Sequence, residues 1–370
     1  MGVVVTGIGV VSALGANPAA FRRALVDGTS ACTMHDFVRF DGSVVRAPAY
    51  LAVPAEPEGL IEPRKLRRMF RLARMSAVAA RQALKHAELD PAAMDSSRLG
   101  ICFGTSFGAM EPTQKFMDSW IENGEASASP LQFMNSVHGI LASQIALDIN
   151  ATGVNLTTAQ RDICFEAALD TAVGLLETRR ADVLLVGGAD EVTAMLHEFG
   201  SHTGQLVLDE VPGLDPWGSR RGVVPGDGAA VFVLERDDSP RRALARVTGT
   251  RIGRCDHSGP NVAAEVLSAD GTKPDLVTSN RDGGSRIGKL NNAQDRALGV
   301  DSVSHRGNFG TWPAAGAMQF AANVLMLSNG EYYEPLANGR PSGRRGAAPG
   351  TILHNAPSIS GSHAAYVLTA

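Results

Sequence analysis

The sequence predicts an α/β protein built from two βα halves of similar order. Strand-like and helix-like stretches alternate along the chain, and that order begins again, more weakly, after the polar, proline-containing join "DDSPRRAL". The length, 370 residues, exceeds one ordinary core and suits two packed lobes, divided at residues 1–240 and 241–370. Forty glycines with only 5% aromatics suit tight strand–helix turns and small-residue packing.

In chain order, "VVVTGIG" reads as a strand, "PAAFRRALVDG" as a helix, "LRRMFRLARMSAVAARQALKHA" as one longer helix and "RLGICFGTS" as a strand. Pro112, after a glycine turn, opens a helix that puts Thr113, Phe116, Met117 and Trp120 at helical spacing. "SQIALDI" reads as a helix. The next helix carries Phe165, Ala168, Leu169, Ala172, Leu175 and Leu176 on one face, and the apolar strand "ADVLLVGGAD" follows it. "GDGAAVFVLER" closes the first half. In the second, "ARVTGTRIG", "PDLVTSN", "GTILHNAP" and "HAAYVLTA" read as strands and "GAMQFAANVLMLSNG" as a helix. The similar order suggests an internal duplication.

Composition excludes several functions. The formal charge of -4 argues against a general polyanion binder. No apolar run reaches membrane-spanning length, and Met1 is followed at once by a strand rather than a signal peptide, so a cytoplasmic location is expected. Cys32, Cys102, Cys164 and Cys255 are scattered without a CxxC pair and read as free structural thiols. The nine histidines lack HxxxH and HExxH spacing. No metal and no cofactor is expected. Neither "GIGVVSALG" nor "GGAD" has the GxGxxG or GK[ST] form of a phosphate loop.

Gln160, in "TTAQRDICFEAAL", is the unusual residue, a polar amide at the entrance of a buried helix. Six ordered landmarks surround it: "VVVTGIGVVSALG", "SPLQFMNSVHGILASQIALDINATGVNLTTA", "ADVLLVGGADE", "GSRRGVVPGDGAAVFVLER", "GNFGTWPAAGAMQFAANVLML" and "SISGSHAAYVLT". With them the chain resembles the β-ketoacyl-ACP synthases along nearly its whole length. The resemblance implies the thiolase fold, duplicated βα halves in a five-layered αβαβα architecture. It also implies a catalytic cysteine at a helix N-terminus, assisted by two histidines of the second half. Residue by residue, that machinery is missing. The cysteine position holds Gln160, the first histidine position Asn280 and the second Gly310, while His305 stands where the family has a lysine and Ile359 near its gating phenylalanine. An amide nitrogen is not a nucleophile at neutral pH, and glycine offers no proton.

Glutamine at the cysteine position resembles the chain-length factors of type II polyketide synthases, specifically the divergent factors of reducing, polyene-forming systems. This implies a non-catalytic partner in an obligate heterodimer with a catalytic ketosynthase, served by an acyl carrier protein. The side chains implied to close the partner's acyl tunnel are Met110, Thr113, Phe116, Met117, Phe133 and Met134, with segment 130–160 at the interface. The basic helix face of Arg64, Lys65, Arg67 and Arg68 either docks the acidic carrier protein or is simply solvated. Gln160 is expected to fill the old nucleophile site and bridge the groups around it. Cys164 is read as a buried residue about 6 Å further along the helix, and His138 and His197 as ordinary packed or surface residues. The competing reading is an enzyme of the same fold, a malonyl-ACP decarboxylase or an acyltransferase.

Overall fold

A computed structural model describes residues 2–55, 57–254, 262–271 and 273–370; Cys255 lies outside them. The first half contains β1 (Val3–Ser12), α1 (Pro18–Val26), the hairpin β2 (Thr33–Val38) and β3 (Val44–Ala49), α2 (Pro63–Leu66), α3 (Arg71–His86) and β4 (Leu99–Gly104). It continues through α4 (Met110–Asn123), α5 (Pro130–Asn135), α6 (Ile140–Ile149), β5 (Asn155–Thr158), α7 (Cys164–Glu177), β6 (Val183–Asp190), α8 (Ala194–His202) and β7 (Gly228–Arg236). The second half contains β8 (Ala245–Arg254), α9 (Val262–Asp270), β9 (Leu276–Ser279), α10 (Ser285–Leu298), α11 (Arg306–Phe309) and α12 (Gly316–Asn329). It ends with the short pair β10 (Leu336–Ala337) and β11 (Arg340–Pro341), then β12 (Thr351–Pro357) and β13 (Ser362–Thr369).

Nine strands pair in the order β5-β4-β6-β7-β1-β8-β13-β12-β9. The duplication is visible in that order. In the first half a parallel strand, β5, flanks β4; at the same place in the second half β9 has only a parallel bridge between Thr278 and Val303. The last two strands of each half are an antiparallel pair in both cases, β6 with β7 and β12 with β13. The halves join where β1 meets β8, Val3 opposite Val247 through Val5 opposite Ala245.

Helices α7 and α12 form the middle layer of the five. Phe165 of α7, Phe320 of α12 and Phe232 of β7 meet with ring centroids 4.6–5.8 Å apart, each pair contributing about 0.5–1.5 kcal/mol beyond burial. On the outer face of the first sheet, α3 and α6 bury Leu72, Val78, Leu84, Leu141 and Ile145 against β1, β4 and β6. Gly9 is needed there, because a Cβ would come within 1.9 Å of the Ala79 carbonyl oxygen of α3. On the outer face of the second sheet α9 packs Val262, Ala263 and Val266 over Val277 and Leu353.

Local chemistry explains several boundaries. Asn17 caps α1 by accepting from the Ala20 amide at 2.9 Å, with Pro18 at the first helical position. Gly299 and Gly330 end α10 and α12 in the left-handed conformation. The single helix expected over 66–87 is instead α2 and α3, broken at Arg67–Phe70. Helical propensity runs through the break, but tertiary contacts override it: Met69 is drawn into the core and the Arg74 guanidinium takes its carbonyl at 2.8 Å. The helix expected from Pro112 begins two residues earlier, at Met110. Among the described residues no helix is long and apolar enough to cross a membrane.

Candidate functional site

The site lies where β5, β9 and the β12–β13 turn end together. After Thr158, whose hydroxyl donates to the Cys164 carbonyl at 2.7 Å, the chain does not enter α7 directly. A 3₁₀ turn, Arg161–Ile163, intervenes, and Arg161 adopts φ +51°, a left-handed backbone that costs a non-glycine residue about 1–2 kcal/mol. Gln160 therefore sits before this turn, half-buried, and not at the tip of α7. The bridging expected of its amide is not seen: the side chain has no hydrogen-bond partner among the described residues. The turn instead brings the Asp162 carboxylate to the β12–β13 turn. That carboxylate accepts the Ser358 hydroxyl at 2.5 Å and the Ile359 amide at 3.4 Å.

Cys164 is the first residue of α7 and fully buried. Burial pushes its thiol well above the ordinary range, helped by the nearby carboxylates of Asp190 and Glu166. Cys164 thus starts α7 rather than lying a full turn inside it, and burial closes its thiol off from the surface. Burial also pushes Cys32 up to about 11 and Cys102 up to about 12. All three described cysteines are free thiols.

Asn280 follows β9 and is buried. Its amide donates to the Pro357 carbonyl at 3.0 Å, and its oxygen accepts from Asn291 at 3.0 Å. Gly310 is closed to any side chain: φ is +85°, and a Cβ would lie 2.6 Å from the Tyr50 ring. Tyr50 is itself pinned there, its hydroxyl donating to the Gly307 carbonyl at 3.0 Å and accepting from the Leu214 amide at 2.8 Å.

His305 is buried, and burial lowers its pKa. Its contacts suit the neutral ring: one ring nitrogen donates to the Tyr333 carbonyl at 2.9 Å, and the other accepts from Gln319 at 2.9 Å. From Gln319 a buried polar chain continues through Asn323 and Thr278 to His354, whose far nitrogen lies 3.4 Å from Glu166. Beside it Arg306 is 3% exposed; one guanidinium nitrogen donates to Thr311, while Nε and Nη2 have no hydrogen-bond partner. Burial lowers the Arg306 pKa, opposed by the charges of Asp282, Glu166 and Asp162. Burial likewise raises the Asp282 carboxyl.

Sequence reasoning missed Asp162, Arg306, Asp282 and Tyr50. The two aspartates stand two positions after Gln160 and Asn280, and Arg306 directly follows His305; Tyr50 comes from a distant loop and leaves no local signal.

The other expected residues divide by exposure. Met110, Thr113 and Phe116 are half-buried on α4, whereas Met117 (38%), Phe133 (57%) and Met134 (62%) are exposed. Phe116 touches Phe133 with centroids 5.4 Å apart and Trp120 at 6.3 Å, so α4 and α5 present one apolar face. Trp120, Ile121, Leu131 and Val137, in and beside these helices, are exposed too, as is Leu156 of β5. Ile359 is 45% exposed in its turn. Arg64, Arg67 and Arg68 point to solvent, but the Lys65 ammonium is held by the Asp148 carboxylate at 2.9 Å and its carbonyl at 3.0 Å. His197 is buried and stacked on Phe37 at 3.7 Å, and His138 is exposed. Among the described residues no group of three His, Cys, Asp or Glu could hold a metal ion.

The family model described as "Beta-ketoacyl synthase, N-terminal domain" matches residues 1–239. The granaticin polyketide putative β-ketoacyl synthase 1 of Streptomyces violaceoruber is 26% identical over 376 residues, spanning 91% of this chain and 88% of the relative. The actinorhodin polyketide putative β-ketoacyl synthase 1 of Streptomyces coelicolor is 28% identical over 379 residues, spanning 92% and 80%. Among solved structures, a chain of the ishigamide ketosynthase/chain length factor superposes with TM-score 0.82 at 21% identity, over 100% of this chain and 98% of that one. A chain from a type II polyketide synthase acyl-carrier protein in complex with its ketosynthase, bound to the hexaketide, gives 0.83 at 17%, over 100% and 99%. These two likenesses establish the thiolase fold of the ketosynthases. By the family model, which spans well over half of its length, the chain belongs to the β-ketoacyl synthase family.

Proposed function

We propose that this chain is a non-catalytic chain-length factor of a type II polyketide synthase, of the reducing, polyene-forming kind, that pairs with a catalytic ketosynthase and shapes its acyl tunnel. The observation that carries the reading is Gly310. With Tyr50 packed 2.6 Å from where a Cβ would be, the position of the second catalytic histidine is filled by another part of the fold. Gln160 and Asn280 remove the nucleophile and the other histidine.

The apolar face of α4 and α5 supports the partner. A second surface, β5, is an edge strand that among the described residues pairs with β4 alone and carries exposed Leu156. An unpaired edge and exposed large apolar side chains each mark a surface that a stable chain covers. An obligate interface of this kind buries on the order of 2,000 Å² or more. Met110, Thr113, Phe116, Met117, Phe133 and Met134 lie on that face, where they can close the end of the partner's tunnel; methionines suit a flexible apolar lining. Arg64, Arg67 and Arg68 remain free to meet an acidic acyl carrier protein, while Lys65 is committed to Asp148. The test is co-expression with a ketosynthase that has an intact cysteine and two histidines. One heterodimer by size and mass is expected; a stable, soluble monomer indifferent to the ketosynthase contradicts the reading.

A further inference from the structure

Helices α4 and α5 form a unit attached to the body of the molecule at one end. Within them only Pro112 and Asn135 are buried, the first near the start of α4 and the second at the end of α5. The two ends of the unit meet. A ring nitrogen of His138, just past α5, donates to the Ser106 carbonyl at 3.3 Å. The Thr113 hydroxyl, which donates to the Ala109 carbonyl at 2.7 Å, also reaches the Ser136 carbonyl at 3.4 Å. A helix of 14 residues with so little burial is marginal by itself. Its place and its persistence therefore depend on what holds that base.

One side chain from another element holds it. Asp190, the last residue of β6, is 1% exposed. One carboxylate oxygen accepts the Thr105 hydroxyl at 2.7 Å and the Ser106 and Phe107 amides at 3.0 and 2.9 Å. The other accepts the Ala314 amide at 3.0 Å, in the 3₁₀ turn before α12. The Thr105 oxygen in turn accepts the Gly108 amide at 3.1 Å. Gly108, at φ +65°, has the His138 ring 3.1 Å from where a Cβ would be, so the base closes tightly on itself. Burial raises the Asp190 carboxyl to about 6, and its donors oppose that by favouring the charged form. Hydrogen bonds to a charged acceptor are the strong ones.

We propose that Asp190 is the positioning residue of the α4–α5 unit: it fixes the 105–108 turn to the start of α12 and so sets where the apolar face of α4 and α5 stands. Asp190 acts through that turn and not by touching an acyl chain. The consequence, that this placement sets the end of the partner's tunnel and with it product length, rests on the chain-length reading above.

Hydrogen–deuterium exchange on the purified full chain, with its ketosynthase where they co-purify, tests the anchor. Asp190→Asn keeps the side chain's size and removes its charge; Thr105→Val removes one donor. Losing one hydrogen bond to a charged group is worth a factor of about ten or more in an opening equilibrium. Each variant is therefore expected to speed exchange of the amides of residues 114–120 about tenfold. Those amides lie inside α4 and none bonds to Asp190, so a merely local lost contact would not move them. Exchange of residues 321–327, inside α12, stays at the wild-type rate. Wild-type exchange of residues 114–120 in both variants overturns the proposal. So does equal acceleration in α4 and α12, which means that Asp190 supports the whole fold. In assembled, active pairs Asp190→Asn should also spread the product over more chain lengths; wild-type lengths beside accelerated α4 exchange overturn the positioning role. A wild-type chain that pairs with no ketosynthase counts against the proposed function instead, and leaves the exchange result readable.

Discussion

Gly310 is the residue on which the proposed loss of catalysis chiefly rests. An alanine there meets two penalties, a positive-φ, extended-ψ backbone that essentially only glycine adopts, costing about 1–3 kcal/mol, and overpacking against Tyr50 costing about 1–3 kcal/mol. Gly310→Ala is expected to lower stability in urea denaturation by at least 2 kcal/mol, and Gly310→His to lower it further without restoring activity. Gln160→Ala, by contrast, removes a side chain with no hydrogen bond and should leave both stability and product output nearly unchanged. The vacancy proposed at 160, 280 and 310 rests on motifs whose frame is legible in the sequence. The replacements were less so: Tyr50 is distant in sequence, and the 3₁₀ turn that substitutes Asp162 for Gln160 against the 358–361 turn depends on a positive φ at Arg161 that no pattern announces.

Buried histidines make a further prediction at this scale. His363 is 1% exposed and donates to Asn355 at 2.5 Å, and burial lowers its pKa to about 4. The unfolded chain binds the proton first, so this contribution to stability is present above pH about 6.5 and is lost as pH falls towards 4. Between pH 7 and pH 5 the loss is about 2 kcal/mol. Buried Asp190, raised to about 6 by burial, acts in the opposite sense, losing stability as pH rises through that value. The measurement is therefore a difference: His363→Gln should flatten the pH dependence of urea stability by about that 2 kcal/mol relative to wild type. An unchanged slope contradicts the assignment.

At the scale of elements, periodicity located β1, β4, β6, β7, β8, β12 and β13 and the buried helices α7 and α12, because each has a continuous apolar run or face. It failed at Arg67–Phe70, where a helical pattern continues but Met69 turns into the core. The parallel partner of β9 was also hidden, reduced to one bridge at Val303. Helices α4 and α5 carry the functional prediction. Met117→Ala and Phe133→Ala shorten side chains on their exposed apolar face and should lengthen the product of the heterodimer; Thr113→Trp should shorten it. Mass-spectrometric product profiles check this, and constant chain lengths in assembled, active complexes leave these helices a structural role only. Leu156→Asp, on the free edge of β5, places a charge where the partner strand is expected. It should abolish pairing in size measurements while circular dichroism of the chain stays unchanged.

For the whole molecule, six ordered landmarks made the family and the thiolase fold legible, since a duplicated fold repeats its glycine turns and apolar strands in sequence. The proposed partner and tunnel residues came through the resemblance at Gln160; which surfaces are left open, and which loops meet across the two halves, was not legible in that way. The central claim is that this subunit holds no acyl chain of its own. Intact-mass spectrometry of the reconstituted pair, after loading with acyl-carrier-protein thioesters, tests it most directly. The account predicts a stoichiometric acyl adduct on the ketosynthase and none on this chain; a stoichiometric adduct on this chain would contradict it.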